Sequence, residues 1–534
     1  MKIKQLLYAV PMVLFMGCQA ESSKQTTDEV VDNGTTKEAH RLLYHFTPPS
    51  GWMNDPNGMV YHDGEYHLFY QHNPDSTVWG PMHWGHAVSK DMVQWEHLPI
   101  ALYPDSLGTI FSGSAVVDLN NTSGLGTADN PPMVAIYTYH NAEGERAGRN
   151  DYQTQGIAFS LDRGRSWTKY ESNPVLPNPG IRDFRDPKVS WNEEAQKWIM
   201  ALAVADHISF YSSKNLKEWQ HESDFGQGIG AHGGVWECPD LFKMQVNGSG
   251  AEKWVLLVSI NPGGPNGGSA TQYFVGDFDG KRFVLDEQFS ADVDEKGIWI
   301  DYGRDNYAGV TWSNIPAEDG RRLFMGWMSN WKYANVVPTE KWRSAMTVAR
   351  TLTLAETSEG LRLLSNPVEE LEKLYQNEYT LESQAVASAL DISEKMPFRS
   401  PALQIDLELE LANADGEFAV ELSNDQDQKI LVGYDAAKNQ YFIDRTKAGT
   451  HKFSDEFAGI HYGPRLASGA VHTMKLLVDV ASVELFADGG KTVMTDIFFP
   501  DEEFTNVRLV SQKGNVRINA GKVTDLKSIY NGSL

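Results

Sequence analysis

From about residue 41 to 365 the chain is a succession of short strand-like runs broken by clusters of Gly, Pro, Asn and Asp, and helical periodicity is nearly absent. This restricts the domain to all-β solutions, because such runs bury themselves only against other strands. "GMVYHDGEYHLFYQ" (58–71) reads as a hairpin turning at Asp63-Gly64, and "KWVLLVSI" (253–260) and "RRLFMGWMS" (321–329) read as buried strands. Three segments repeat a serine, a polar turn and a tryptophan at the end of a strand pair: "SKDMVQW" (89–95), "SLDRGRSW" (160–167) and "SSKNLKEW" (212–219). Their spacing is too irregular for a solenoid and suits blades of a β-propeller with insertions; a large β-sandwich is the competing architecture. "NPVEELEKLYQNEY" (366–379), with Val368, Leu371 and Leu374 at helical spacing, predicts one short helix between domains. Beyond it, "LQIDLELEL" (403–411) alternates without a break. "KLLVDVASVELFADGGKTVMTDIFF" (475–499) reads as further strands with a turn near Asp488-Gly489, so an antiparallel β-sandwich is expected at the C-terminus. The expected division is a leader (1–18), a polar linker (19–38), a propeller (39–365), a linker with the helix (366–382) and the sandwich (383–534).

The formal net charge of -25 argues against nucleic acid as a partner, since binding a polyanion needs clustered cations and no Lys/Arg-rich run is present. Lys2 and Lys4 precede an apolar run, Leu6 to Met16, that is too short to span a bilayer and reads as an export signal. Gly17-Cys18 at its end resembles a bacterial lipoprotein site, so Cys18 is the expected point of acylation, with a plain secretory signal as the alternative. Residues 19–38 are polar and suit a tether. The expected location is outside the bacterial cytoplasm, with membrane contact only through this anchor. Cys18 and Cys238 are the only cysteines, so a lipidated Cys18 leaves no disulfide within the chain.

Three carboxylates sit in unusual local settings. "WMNDPNG" (52–58) is a turn by composition and places Asp55 between carboxamides. Asp186, in "FRDPK" (184–188), lies between an arginine and a proline; Glu237, in "VWECPD" (235–240), lies between Trp236 and Cys238. Glycoside hydrolysis needs one ionised carboxylate to attack the anomeric carbon and one protonated carboxyl for the leaving oxygen. An acid packed against Trp236 would be kept protonated by desolvation, whereas Asp55 among amide donors would stay anionic. Each segment also has a plainer reading, as a turn, a surface Arg185–Asp186 pair and a core Trp236, and the residues alone leave both open. No histidine or cysteine spacing suits zinc, His62 and His67 read as surface residues, and "NPGGPNGGS" (261–269) lacks the lysine of a phosphate cradle. No cofactor or metal is expected.

The ordered motifs "WMNDPNG", "FSGS" (111–114), "RDP" (185–187), "WECPD" (236–240) and "DYGRDNYA" (301–308) resemble glycoside hydrolase family 32, the invertases, inulinases and levanases. The similarity continues through "MGWMSNWKYANVVPTEKWRSAMTVAR" (325–350) and spans nearly the whole chain after residue 40. The resemblance implies an all-β molecule, a five-bladed propeller followed by a β-sandwich. It further implies a retaining attack on β-D-fructofuranosyl bonds of levan, inulin or fructo-oligosaccharides, with sucrose as a further substrate. By motif position Asp55 resembles the nucleophile, Glu237 the acid/base and Asp186 the transition-state stabiliser. Asn54, Gln71, Trp79, Phe111, Ser112, Arg185 and Trp331 resemble the lining of the fructose pocket. Retention implies that the Asp55 and Glu237 carboxyls stand about 5–5.5 Å apart. The region around Trp331 is most similar to exo-acting enzymes; endo-action, fructosyl transfer and fructan binding without turnover are the alternatives. Linkage preference, oligomeric state and the role of the sandwich do not follow from the sequence.

Overall fold

Five antiparallel sheets are arranged in a ring in the computed structural model, which describes residues 38–293, 296–413 and 415–530. The leader and Cys18 lie outside the described residues. The innermost strands of the five sheets are Gly51–His62, Thr109–Val117, Phe184–Asn192, Val235–Asn247 and Tyr307–Thr311. Each of these strands packs on the next and the fifth packs on the first, which makes the domain a five-bladed propeller. Val246 and Asn247 pair in parallel with Leu354 and Ala355, joining the fourth and fifth blades. After the fifth blade the chain returns to the first, where Trp342 and Arg343 pair with Gly51 and Trp52.

The repeated serine–turn–tryptophan segments are the hairpins between the third and fourth strands of the first three blades. In each, a serine hydroxyl accepts a backbone N–H two residues on: Asp91 to Ser89 at 3.1 Å, Asp162 to Ser160 at 3.4 Å and Asn215 to Ser213 at 3.1 Å. Such side-chain turns are why Ser, Asp and Asn recur there. The hairpin at 63–64 has both central residues at positive φ, 48° for Asp63 and 85° for Gly64, the geometry that matches strand twist. His67, expected at the surface, is instead buried, with Nδ1 3.0 Å from Nε2 of His86 and its ring stacked on Phe69. The second strand of a blade is covered on both faces by neighbouring blades, so alternation leaves it no wet side. Burial pushes the His67 pKa down to about 3.

The segment expected to form a helix is a 3-10 stretch, Glu369–Leu374, followed at once by the strand Tyr375–Leu381. Val368, Leu371 and Leu374 are buried as their spacing required, but the chain is drawn into the next sheet before an α-helix can develop. That sheet has seven strands and faces a six-stranded one, and the two enclose a core that includes Leu403, Ile405, Leu407 and Leu409 against Val420 and Leu422. These two sheets form the C-terminal β-sandwich.

Buried ion pairs join sandwich to propeller. The ring nitrogens of His45 face Oδ2 of Asp479 at 2.8 Å and Oε1 of Glu484 at 2.9 Å. Arg350 reaches Glu484 at 2.5 Å, Asp301 at 3.0 Å and Thr495 at 2.7 Å, and Arg445 reaches Asp305 at 2.5 Å. With a carboxylate on each nitrogen, His45 is held as imidazolium. Burial alone would lower its pKa, but the hydrogen bonds to Asp479 and Glu484 prevail and raise it from 6.5 to about 9. A raised histidine pKa stabilises the fold below the unfolded value, and that stability is lost as pH climbs through the folded one. Melting temperature should therefore decline between pH 6.5 and 9, by the equivalent of about 3 kcal/mol at most from this group. His45→Gln should flatten the decline in melts recorded across that range; an unchanged slope would exclude His45 as its source.

Candidate active site

Each of the five ring strands carries a bulge, a point where two of its residues face one residue of the neighbouring strand. Asn54-Asp55 stand opposite Gln71, Phe111-Ser112 opposite Thr138, and Asp186-Pro187 opposite Leu202. Cys238-Pro239 face Val258, and Ala308-Gly309 face Gly326. "WMNDPNG" is therefore part of the first ring strand and not a turn. Its turn-like composition has a common cause: proline donates no ladder hydrogen bond, so within a buried strand it belongs at a bulge. Pro187 and Pro239 lie in bulges and Pro56 directly follows one. Bulges bend the strand and redirect its side chains, here toward one end of the ring axis. Asp186 and Cys238 adopt φ of 65° and 44°, a left-handed conformation that disfavours side chains and is held by the surrounding blades.

All ten residues that the resemblance assigned to catalysis or fructose binding line one cavity of about 240 Å³ at that end. Asp55 Oδ2 accepts the Ser112 hydroxyl at 2.7 Å, while Oδ1 takes no hydrogen bond from the described residues. Trp52 Nε1 donates to Asn54 Oδ1 at 2.6 Å, leaving the amide nitrogen of Asn54 for the cavity, and Gln71 Nε2 donates to Asn57 Oδ1 at 2.7 Å. Arg185 is the hub. It donates to Glu237 Oε1 from Nη2 at 2.9 Å and from Nε at 3.2 Å, to Asp183 at 2.6 Å, and stands 3.9 Å from Asp186. The Tyr307 hydroxyl donates to Glu237 Oε2. Asp186 Oδ2 accepts the Cys238 backbone N–H at 3.1 Å, and the Cys238 thiol lies 3.6 Å from both Asp55 and Asp186.

Two matches divide the described chain at the end of the fifth blade. Residues 45–367 match the Glycosyl hydrolases family 32 N-terminal domain, and residues 370–526 match the Glycosyl hydrolases family 32 C terminal domain. The chain belongs to glycoside hydrolase family 32. It is 45% identical over 532 residues to a levanase of Bacillus subtilis (strain 168), covering 99% of this chain and 75% of that protein. It is 39% identical over 514 residues to an extracellular exo-inulinase of Aspergillus niger, covering 91% of this chain and 95% of that one. The crystal structure of an exo-inulinase from Aspergillus awamori superposes with a TM-score of 0.84 at 37% identity, over 92% of this chain and 99% of that chain.

In this family 32 site the charge distribution differs from the reading of the motifs in isolation. Trp236 does not face Glu237's side of the strand. Its ring stacks 5.1 Å from His232 inside the fourth blade, because successive strand residues point to opposite faces. Glu237 is flanked by the Arg185 guanidinium and the Tyr307 phenol and not by the Trp236 ring. Asp55 is raised from the ordinary aspartate value, first by burial and then by Glu237, while hydrogen bonds from Asn54 and Ser112 favour its ionised form. Asp186 is raised to about 7 by burial and by Glu237 and Asp55, against the opposing Arg185. Three carboxylates in one cavity cannot all ionise freely, so the cluster retains a proton near neutrality.

Among the expected residues Trp79 is 43% exposed and marks the mouth, while Trp331 lies against Trp52 with centroids 5.8 Å apart. The sequence reading missed Tyr307, although it lies inside the quoted "DYGRDNYA". It also missed Asp183, Asn261 and the segment from His140 to Gln153, which carry no local signal and reach the cavity only through loop placement. Ser112 gives a test of the proton distribution. Because its hydroxyl favours ionised Asp55, Ser112→Ala should move the acid limb of kcat/KM to higher pH. An unmoved limb would show that Asp55 does not govern it.

Proposed function

We propose that this protein is an exo-acting fructan β-fructosidase that retains anomeric configuration and releases fructose through a covalent fructosyl-enzyme. The observation that carries this reading is the clustering of Asp55, Asp186 and Glu237 in one small cavity, in a chain so similar to a levanase and to extracellular exo-inulinases. Asp55 attacks the anomeric carbon through Oδ1, the oxygen without a hydrogen-bond partner among the described residues, while Ser112 orients Oδ2. Glu237 protonates the departing oxygen and then takes a proton from the water that opens the intermediate. Arg185 and Tyr307 hold Glu237 in position, and Asp186 with Arg185 binds fructose hydroxyls and stabilises the charge that develops on the ring. Retention through this pair requires an Asp55–Glu237 carboxyl separation of about 5–5.5 Å, and a separation of roughly 8 Å or more would point to inversion.

The cavity volume of about 240 Å³ supports exo-action, since a space of that size suits one terminal fructosyl unit with the rest of the polymer at the mouth. Early-time products from levan and inulin test this: fructose alone is the expected result, and fructo-oligosaccharides appearing first would overturn it. No product from the intact protein would favour a fructan-binding role instead. The levanase and extracellular exo-inulinase relatives support export, and acylation of Cys18 is the proposed anchor. Mass spectrometry of the mature N-terminus should find a lipidated Cys18; an unmodified N-terminus elsewhere would exclude the anchor.

A further inference from the structure

One wall of the cavity mouth belongs to none of the motifs. It is built by residues 140–153, the connection between the second and third strands of the second blade. Its backbone is fixed at both ends, with Asn141 N–H bonded to Tyr152 O at 2.8 Å and Asn141 Oδ1 capping the short helix Ala142–Arg146 at Gly144 N, also at 2.8 Å. His140 lies flat on Phe111, centroids 4.2 Å apart and planes 2° from parallel, and Tyr152 meets it edge-on at 5.4 Å. Phe111 shares its bulge with Ser112, so this wall is tied to the residue that orients Asp55.

The protonation of His140 follows from its partners. Gln153 Oε1 accepts the backbone N–H of Phe184 at 2.8 Å, which orients its amide and leaves Nε2 as the donor toward His140 Nδ1 at 3.3 Å. His140 Nδ1 is thereby the acceptor, which puts the proton on Nε2, 3.2 Å from Glu145 Oε2. One oxygen of Glu145 is thus anchored. Among the described residues none donates a hydrogen bond to Oε1, and the side chain is 44% exposed at the mouth. Exposure rises in order from the floor of the cavity (Asn54 and Gln71, each 2%) through Glu237 (19%) to Glu145 and Trp79. A fructosyl unit held on the floor therefore places the group beyond the scissile oxygen beside Glu145. A carboxylate there suits a polyhydroxylated leaving group, whose hydroxyls donate to it, and offers nothing to an aryl ring.

We infer that Glu145, oriented by His140 and Gln153, binds the hydroxyls of the leaving-group sugar and sets the preference of the enzyme for saccharide over non-saccharide leaving groups. This rests on the proposed β-fructosidase activity. The test compares kcat/KM for a fructosyl trisaccharide with that for p-nitrophenyl β-D-fructofuranoside in the wild type, Glu145→Gln and Glu145→Ala. The trisaccharide-to-aryl ratio should fall about tenfold in Glu145→Ala, mostly through KM, and less in Glu145→Gln, which keeps one acceptor oxygen. His140→Phe, which preserves the stack on Phe111 but releases Glu145, should lower the ratio in the same direction. A ratio that stays within about twofold in Glu145→Ala, or a fall in both substrates by the same factor, overturns the inference. Wild-type protein that cleaves neither compound overturns the activity on which it rests, and the inference with it.

Discussion

Asp55→Asn should lose at least about 10⁴-fold in kcat on any β-fructoside, the scale seen when a covalent nucleophile is removed from a hydrolase. The two carboxylates are distinguished by how the loss depends on the leaving group. Glu237→Gln should cost about 10²–10⁴-fold on fructans, whose departing alkoxide needs a proton. On an aryl fructoside the phenolate leaves unaided, so Glu237→Gln should lose far less on that substrate while Asp55→Asn loses as much as before. Steady-state rates of both variants on both substrates suffice. Equal losses for Glu237→Gln on the two substrates would remove it from the acid role, and substantial residual activity in Asp55→Asn would remove Asp55 from the nucleophile role. Tyr307 and Arg185 grip Glu237 from opposite sides, so these variants report the charge of a carboxyl that is already positioned.

Arg350→Ala should destabilise the protein by about 3–5 kcal/mol, the usual consequence of removing one partner from a buried ion pair. The guanidinium is fully buried between Glu484 of the sandwich and Asp301 of the propeller, and its loss leaves Asp301 without its cation and Glu484 with the His45 imidazolium alone. Calorimetric melting should show a marked fall in transition temperature, and the doubly neutralised Arg350→Met/Glu484→Gln should recover part of it. A loss below about 1 kcal/mol would mean that the interface relaxes and admits water. The network spans the two domains, so propeller and sandwich should melt in one transition in the wild type.

Much of this architecture is legible along the chain. Strands such as Leu403–Leu411 coincide with the alternating run that predicts them, and the Ser-Asp/Asn-Trp segments mark blade hairpins because the side-chain turn they make is local. The predicted helix failed where a local preference met a tertiary demand: Leu371 and Leu374 are buried as helical spacing requires, but Tyr375–Leu381 is taken up by Val516–Leu526, far away in sequence. His67 was misplaced for a similar reason, since the Gly164 turn of the second blade closes over a ring already packed on His86 and Phe69 of its own blade.

For the site, the sequence by itself determined the inventory: three acids, the arginine, the amides and aromatic rings, each in a short segment whose backbone demands proline or glycine. Whether such a segment is a turn or a bulge was decided by the ring of strands, because Asn54 and Asp55 become a bulge only when a partner strand offers Gln71 alone opposite them. The placing of protons was likewise tertiary. Trp236 adjoins Glu237 in sequence yet faces the other side of the sheet, whereas Arg185 and Tyr307, which hold Glu237, and Asp55, which acts with Arg185 on the charge of Asp186, arrive from other positions in the ring. Backbone preference and periodicity act over a few residues and can be read from them. Burial and charge interactions depend on which distant groups are brought within a few ångströms, and that is settled only when the blades close.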